Sequence, residues 1–131
     1  MLYRFCLTVC SFLLLSSCQF ENRENDPRLL SLLEADALLV SNEDTVDFEN
    51  NYYDAILEIK KLYPTVLEEV VVVSHDEIKK LKNKLEIETY PTLLLISNKK
   101  VITKIQGKQE KDEILYEMNE FLHITKNNRP L

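Results

Sequence analysis

The chain has 131 residues, of which 45% are hydrophobic and 29% charged, and its formal net charge is −6. That balance suits one folded domain with an added segment and excludes wholesale disorder. The negative charge argues against a surface that tracks nucleic-acid phosphates, and a single glycine leaves most turns to Asn, Asp, Ser and Lys.

All three cysteines fall in the first 18 residues. Met1 to Arg4 is a short stretch with one positive charge, Phe5 to Leu15 is apolar, and Ser16-Ser17 are small residues of the kind that precede a signal cleavage point. The apolar run is too short for a bilayer crossing, which takes about 20 residues. Leu15-Ser16-Ser17-Cys18 resembles the lipobox of bacterial lipoprotein signal peptides. The resemblance implies cleavage before Cys18 and a thioether-linked diacylglyceryl group on it, giving two acyl chains and stable anchoring. An ordinary secretory signal is the alternative. With the leader gone, Cys6 and Cys10 are lost, Cys18 is alkylated, and the loss of Arg4 takes the formal charge to about −7.

Gln19 to Pro27 is polar and aperiodic, a tether. Leucines at 29, 30, 32 and 33 suit a short amphipathic helix over Arg28 to Asp36. Ala37 to Val40 reads as a buried strand entering the loop Ser41 to Asp44. Apolar residues at 48, 52, 55, 56, 59 and 62 predict a helix over Asp47 to Tyr63, stopped by Pro64. Val66 to Val73 is strand-like, and Ser74 with Glu77 forms a capping box for a helix edged by Ile78, Leu81 and Leu85.

Two strands then flank Ser97-Asn98-Lys99-Lys100, with Asn98 where a positive φ is needed. Pro91 belongs at the entrance of the first of these strands, where cis X-Pro bonds are kept. Gln109 to His123 predicts a last helix. The expected divisions are a signal peptide (1–17), a tether (18–27), a domain (28–124) and a frayed tail (125–131). Strands alternating with helices imply an α/β fold with right-handed crossovers, a parallel core and a late antiparallel hairpin, so the central sheet is mixed, with helices on both faces.

That order, with Tyr90-Pro91-Thr92-Leu93-Leu94-Leu95, a turn, a strand and then Gly107, resembles the thioredoxin fold, whose pattern lies over residues 38 to 122 without a gap. The overlay puts Pro91 on the family's cis-proline and Gly107 on its glycine after the last strand. It also puts Asp47-Phe48-Glu49-Asn50 on the Cys-x-x-Cys motif, Val46 on the preceding aromatic, and Ser41 on the buried aspartate. Disulfide exchange needs a thiolate whose pKa the helix N-terminus lowers, and neither Asp47 nor Asn50 supplies one. Asp47 instead reads as a helix N-cap and Glu49 as a first-turn acid. A cation held by Glu43, Asp44, Asp47 and Glu49 lacks calcium-loop spacing, and no metal or other cofactor is expected.

In relatives of this kind, the backbone before the cis-proline pairs with an extended chain. Thr89, Tyr90 and Pro91 retain that capacity because main-chain groups do it. Phe48 and Tyr90 are expected to line the same groove, and Tyr52 to belong to the core. His75 and His123 complete no hydrolase triad, and the run Lys79-Lys80-Leu81-Lys82 reads as a solvated face or one that leans on an anionic surface.

The expectation is a non-catalytic, thioredoxin-like lipoprotein at the extracytoplasmic face of a bacterial cell membrane. It would hold the membrane through its lipid and bind a protein or peptide, with no nucleic acid. The alternatives are a thiol-disulfide oxidoreductase whose reactive cysteine is an unmodified Cys18, and a structural envelope lipoprotein.

Overall fold

A computed structural model describes residues 26–127; the leader, Cys18 and the last four residues lie outside the described part. The elements are α1 (Pro27–Leu32), β1 (Ala37–Ser41), a 3-10 helix (Glu43–Phe48), α2 (Glu49–Leu62), β2 (Val70–Ser74), β3 (Thr92–Ser97), β4 (Lys100–Gln106) and α3 (Lys111–Asn127). The strands form one sheet in the order β2-β1-β3-β4.

The sheet is three layers deep because its inner strands are apolar on both faces, as a doubly covered sheet requires. Ala37 and Leu39 of β1 join Leu93 and Leu95 of β3 under α2 and α3, where Ile59, Ile114, Met118 and Phe121 close the core. Leu38 and Val40 point the other way, with Leu94 and Ile96, against Ile78, Leu81, Leu85 and Leu29, Leu32 and Leu33 at and just after α1. Alternation along one strand thus feeds two cores.

The sheet is mixed, but its core is less parallel than the helix–strand alternation implies. β1 pairs with β2 in parallel, whereas β1 and β3 run antiparallel. The segment after β2 leaves and returns at the same pole of the sheet, so β3 runs backwards along β1. That segment is not the regular helix expected. Its capping box forms, with the Ser74 N–H donating to the Glu77 carboxylate at 2.7 Å and the Glu77 N–H to the Ser74 hydroxyl at 3.3 Å. Residues 75–86 then continue as successive turns. Lys80 and Lys84 stand at like-charge i,i+4 spacing, which opposes a regular helix. The turns end with Glu86 at φ 53°, where Ile87 N–H reaches the Lys82 carbonyl at 3.0 Å and Glu86 N–H the Asn83 carbonyl at 3.3 Å. This is the double bond of a Schellman cap, with glutamate in glycine's place.

Other boundaries shift for local reasons. α1 starts at Pro27 because Asp26 caps it, accepting from Arg28 N–H at 3.0 Å, so the tether stops short of residue 27. The hairpin turn puts both Asn98 (φ 53°) and Lys99 (φ 61°) in the left-handed region, as a two-residue primed turn demands. The last helix runs through Asn127 and absorbs the first residues of the expected tail, leaving His123 exposed a turn before its end.

The two sheet edges differ. On β2, the Glu69 carbonyl accepts from Ala37 N–H and the His75 N–H donates to the Ser41 carbonyl. The backbone groups of Val70 and Val72 therefore face away from β1. β4 carries Lys104 at its edge and an irregularity in its pairing opposite Leu95/Ile96.

Candidate functional site

The carboxyl end of β1, the start of α2 and the entrance to β3 converge at one pole. Register places Val40 against Thr92, and Gln106 of β4 against Thr92 on its other side. The Tyr90–Pro91 bond is cis and Pro91 is buried. Around it the backbone is tied down: Gly107 N–H donates to the Pro91 carbonyl at 2.8 Å, and the Gln106 side-chain oxygen accepts from Glu88 N–H at 2.9 Å and Thr89 N–H at 3.4 Å. The Thr92 hydroxyl donates to the Thr89 carbonyl. Both polar main-chain groups of Thr89 are thereby occupied. Neither the N–H nor the carbonyl of Tyr90 bonds another described residue, and these are the groups left to meet an added chain.

Gly107 has φ +80°, and a Cβ there would meet the Thr89 hydroxyl at 3.3 Å. The positive φ favours glycine, and a Cβ would in addition crowd the Thr89 side chain. Its carbonyl accepts the hydroxyl proton of Tyr52 at 2.5 Å, so the second turn of α2 is fixed to the segment that fixes Pro91. Tyr52 is fully buried, as a core assignment requires, and burial pushes its phenol above the usual range.

Asp47 and Asn50 are exposed. Asp47 does not cap α2: it lies inside the 3-10 helix, and the cap position is Phe48, whose side chain makes no capping bond. Asn42 caps the 3-10 helix itself, accepting from Asp44 N–H at 3.1 Å. Glu49 is in the first turn but faces inward. It is 3% exposed, and Ser41 donates its hydroxyl to the Glu49 carboxylate at 2.5 Å. A buried acid thus stands at the base of this pole, supplied from the helix rather than from the strand position that Ser41 occupies. Sequence reasoning missed the pairing; the signal was the absent strand acid at Ser41 beside a first-turn Glu49.

Phe48 is half-buried, with the Lys108 ammonium 4.9 Å from its ring centroid, a cation–π distance. Tyr90 turns its ring toward the other core, edge-to-face with His75 at 5.1 Å between centroids. Its hydroxyl is buried without a partner among the described residues, and burial raises its pKa. The two aromatics therefore have separate partners, Lys108 for Phe48 and His75 for Tyr90. Nearby, Val46 and Tyr53 leave apolar surface exposed. Burial and the Glu49 carboxylate raise the Tyr53 phenol. Among the described residues there is no cysteine and no group of three or more His, Cys, Asp or Glu poised for a metal ion. No described helix is long and apolar enough to cross a membrane.

The thioredoxin family profile matches residues 52–120. Over 101 residues the chain is 34% identical to a Bacillus subtilis (strain 168) protein named "Pal-related lipoprotein", a match that spans 76% of this chain and 78% of that one. Among solved structures, a thioredoxin from Thermus thermophilus superposes with a TM-score of 0.55 at 17% identity, covering 73% of this chain and 82% of the other. Desulfothioredoxin from Desulfovibrio vulgaris Hildenborough gives 0.54 at 17% identity, covering 70% and 88%. These two likenesses speak for the fold. The chain belongs to the thioredoxin family, as a thioredoxin-like relative of a bacterial lipoprotein.

Proposed function

We propose that this is a lipid-anchored, redox-inactive member of the family that holds an extended peptide against the backbone of Tyr90 at the outer face of a bacterial membrane. The observation that carries the reading is the pairing of two facts at one pole. The Tyr90 N–H and carbonyl beside a cis proline have no partner among the described residues, while the adjacent helix start offers Asp47 and Asn50 where the family's thiols stand. Strand addition needs only the first of these; electron transfer needs the second to be cysteine. Phe48, Val46 and Tyr53 supply apolar contact next to it.

Cys18 is the proposed lipidation site, and the lipoprotein name of the Bacillus relative supports it. Peptide capture is tested by a photoreactive group at position 90 in cells producing the full chain. Crosslinks to one protein in stoichiometric yield, lost when Phe48 and Thr89 are both changed to Glu, support the reading. An absence of any stoichiometric crosslink leaves a structural spacer. Disulfide reduction by the purified native protein above the thiol-free background, together with an intact Cys18 mass lacking lipid, would make it an oxidoreductase.

A further inference from the structure

The poles of the sheet differ in charge as well as in shape. Strand register sets Thr92 and Gln106 at the Pro91 pole and Ser97 and Lys100 at the opposite one. The described chain enters beside that second pole. Asp26 lies 3.4 Å from the Lys84 ammonium, and Glu34, just after α1, lies 3.8 Å from Lys99. Between α1 and β4 there is a hollow of about 320 Å³, floored by Leu29, Leu33 and Val101 and ringed by Lys84, Lys99, Lys100 and Lys104, with Glu86 as its single lining acid. Lys100 has no ion-pair partner among the described residues. The Lys99–Glu34 pair is open to water on both sides, so it competes weakly with another anion. Lys104 pairs with the exposed Glu86 carboxylate at 3.5 Å, so four lysines face three acids around the apolar floor, an excess of one positive charge in a chain of net charge −6.

We propose that this pole rests on anionic phospholipid headgroups of the bilayer that carries the anchor, and so holds the Tyr90–Pro91 pole toward the solvent. The inference rests on lipidation at Cys18. From Cys18 to Asp26 the chain advances eight residues, a reach of at most about 28 Å, so the domain cannot drift from the surface. Charge attraction beyond about 8 Å is screened at physiological salt, so the lysines act by contact. The phosphate groups meet the ammonium ring, while Leu29, Leu33 and Val101 lie under the acyl–headgroup boundary, as basic residues with an apolar floor do at membrane surfaces. Of the lysine run that begins at Lys79, only Lys84 lines this hollow.

The test is lysine acetylation, read by mass spectrometry, on the lipid-bearing protein in vesicles of phosphatidylcholine with and without about 30 mol% phosphatidylglycerol. Lys99 and Lys100 should label about threefold or more slowly on the anionic vesicles, while Lys60 and Lys61 on α2 label equally on both. Salt at about 0.5 M should abolish the difference, and in the double change Lys99→Glu/Lys100→Glu the remaining ring lysines, Lys84 and Lys104, should label equally on the two vesicles. Equal labelling on the two vesicles, protection that survives salt, or protection shifted to Lys108 at the Pro91 pole overturns the proposal. Failure of the anchor shows separately: protein without a lipid increment on Cys18 leaves vesicles of either composition, and both readings then fall.

Discussion

The Ser41 hydroxyl donates to the buried carboxylate of Glu49 across eight residues, joining the last residue of β1 to the first of α2. A buried acid whose side-chain partner is removed bears the cost of its own desolvation. Ser41→Ala should therefore lower unfolding free energy by about 1.5–3 kcal/mol, the range for bonds to charged groups. In a double-mutant cycle with Glu49→Met, urea unfolding should give a smaller loss than the two single changes summed. Strict additivity would show that the pair contributes nothing.

Tyr52 carries two separable contributions, a packed ring and a hydroxyl on the Gly107 carbonyl. Tyr52→Phe should cost about 1 kcal/mol, the hydrogen bond alone. Tyr52→Ala should cost about 3–5 kcal/mol through the cavity it leaves. If the first matches the second in chemical denaturation, the ring is not the main contributor.

Lys99 sits in the left-handed region without being glycine, and that conformation costs an ordinary L-residue about 1–2 kcal/mol. Lys99→Gly should raise the thermal midpoint, with a gain of about 1 kcal/mol once the added freedom of the unfolded chain is subtracted. An unchanged or lower midpoint would mean that the hairpin turn is not strained there.

The Glu77 carboxylate is held below its ordinary value of 4.5 chiefly by the Ser74 backbone N–H, with the Ser74 hydroxyl helping. A carboxylate lowered in the folded state adds stability that is present above its unfolded value and lost as pH falls through the folded one. Glu77→Gln keeps a capping partner without the charge. On acidification from about pH 6 to about pH 3, the native chain should lose more stability than this variant, and parallel curves would remove the charge from the account.

Much of this architecture could be read from the residues. Pro91 before a leucine-rich strand and Asn98 in a primed turn have local causes, so the strand entrance and the hairpin were legible, while the cis state of the Tyr90–Pro91 bond was left open by the residues alone. The leucine and valine runs announced strands covered on both faces. What was not legible depended on contacts between distant residues. The direction of β3 follows from the segment after Ser74 returning to the pole it left, which no local pattern in residues 75–91 announces. Asp47 lost the capping role because Glu43 to Phe48 tightened into a 3-10 helix capped by Asn42, leaving Phe48 at the α2 cap position without a side-chain bond, a choice that capping preferences alone leave open. At the site, Phe48 and Tyr90 were assigned to one groove from the thioredoxin overlay, which sets residues 47–50 beside Pro91. Tyr90 has its own partner in His75, and Phe48 has one in Lys108.

The outer rim of β2 has a consequence for handling the protein. Its four valines carry no charge, and Val72 is 48% exposed, whereas the rim at β4 is guarded by lysine. An unguarded valine rim invites chain-to-chain zippering. At high concentration in solution, copies would meet edge to edge along this rim. Sedimentation at rising concentration should reveal oligomers that Val72→Lys suppresses, and a monomer throughout would show that the rim is already shielded.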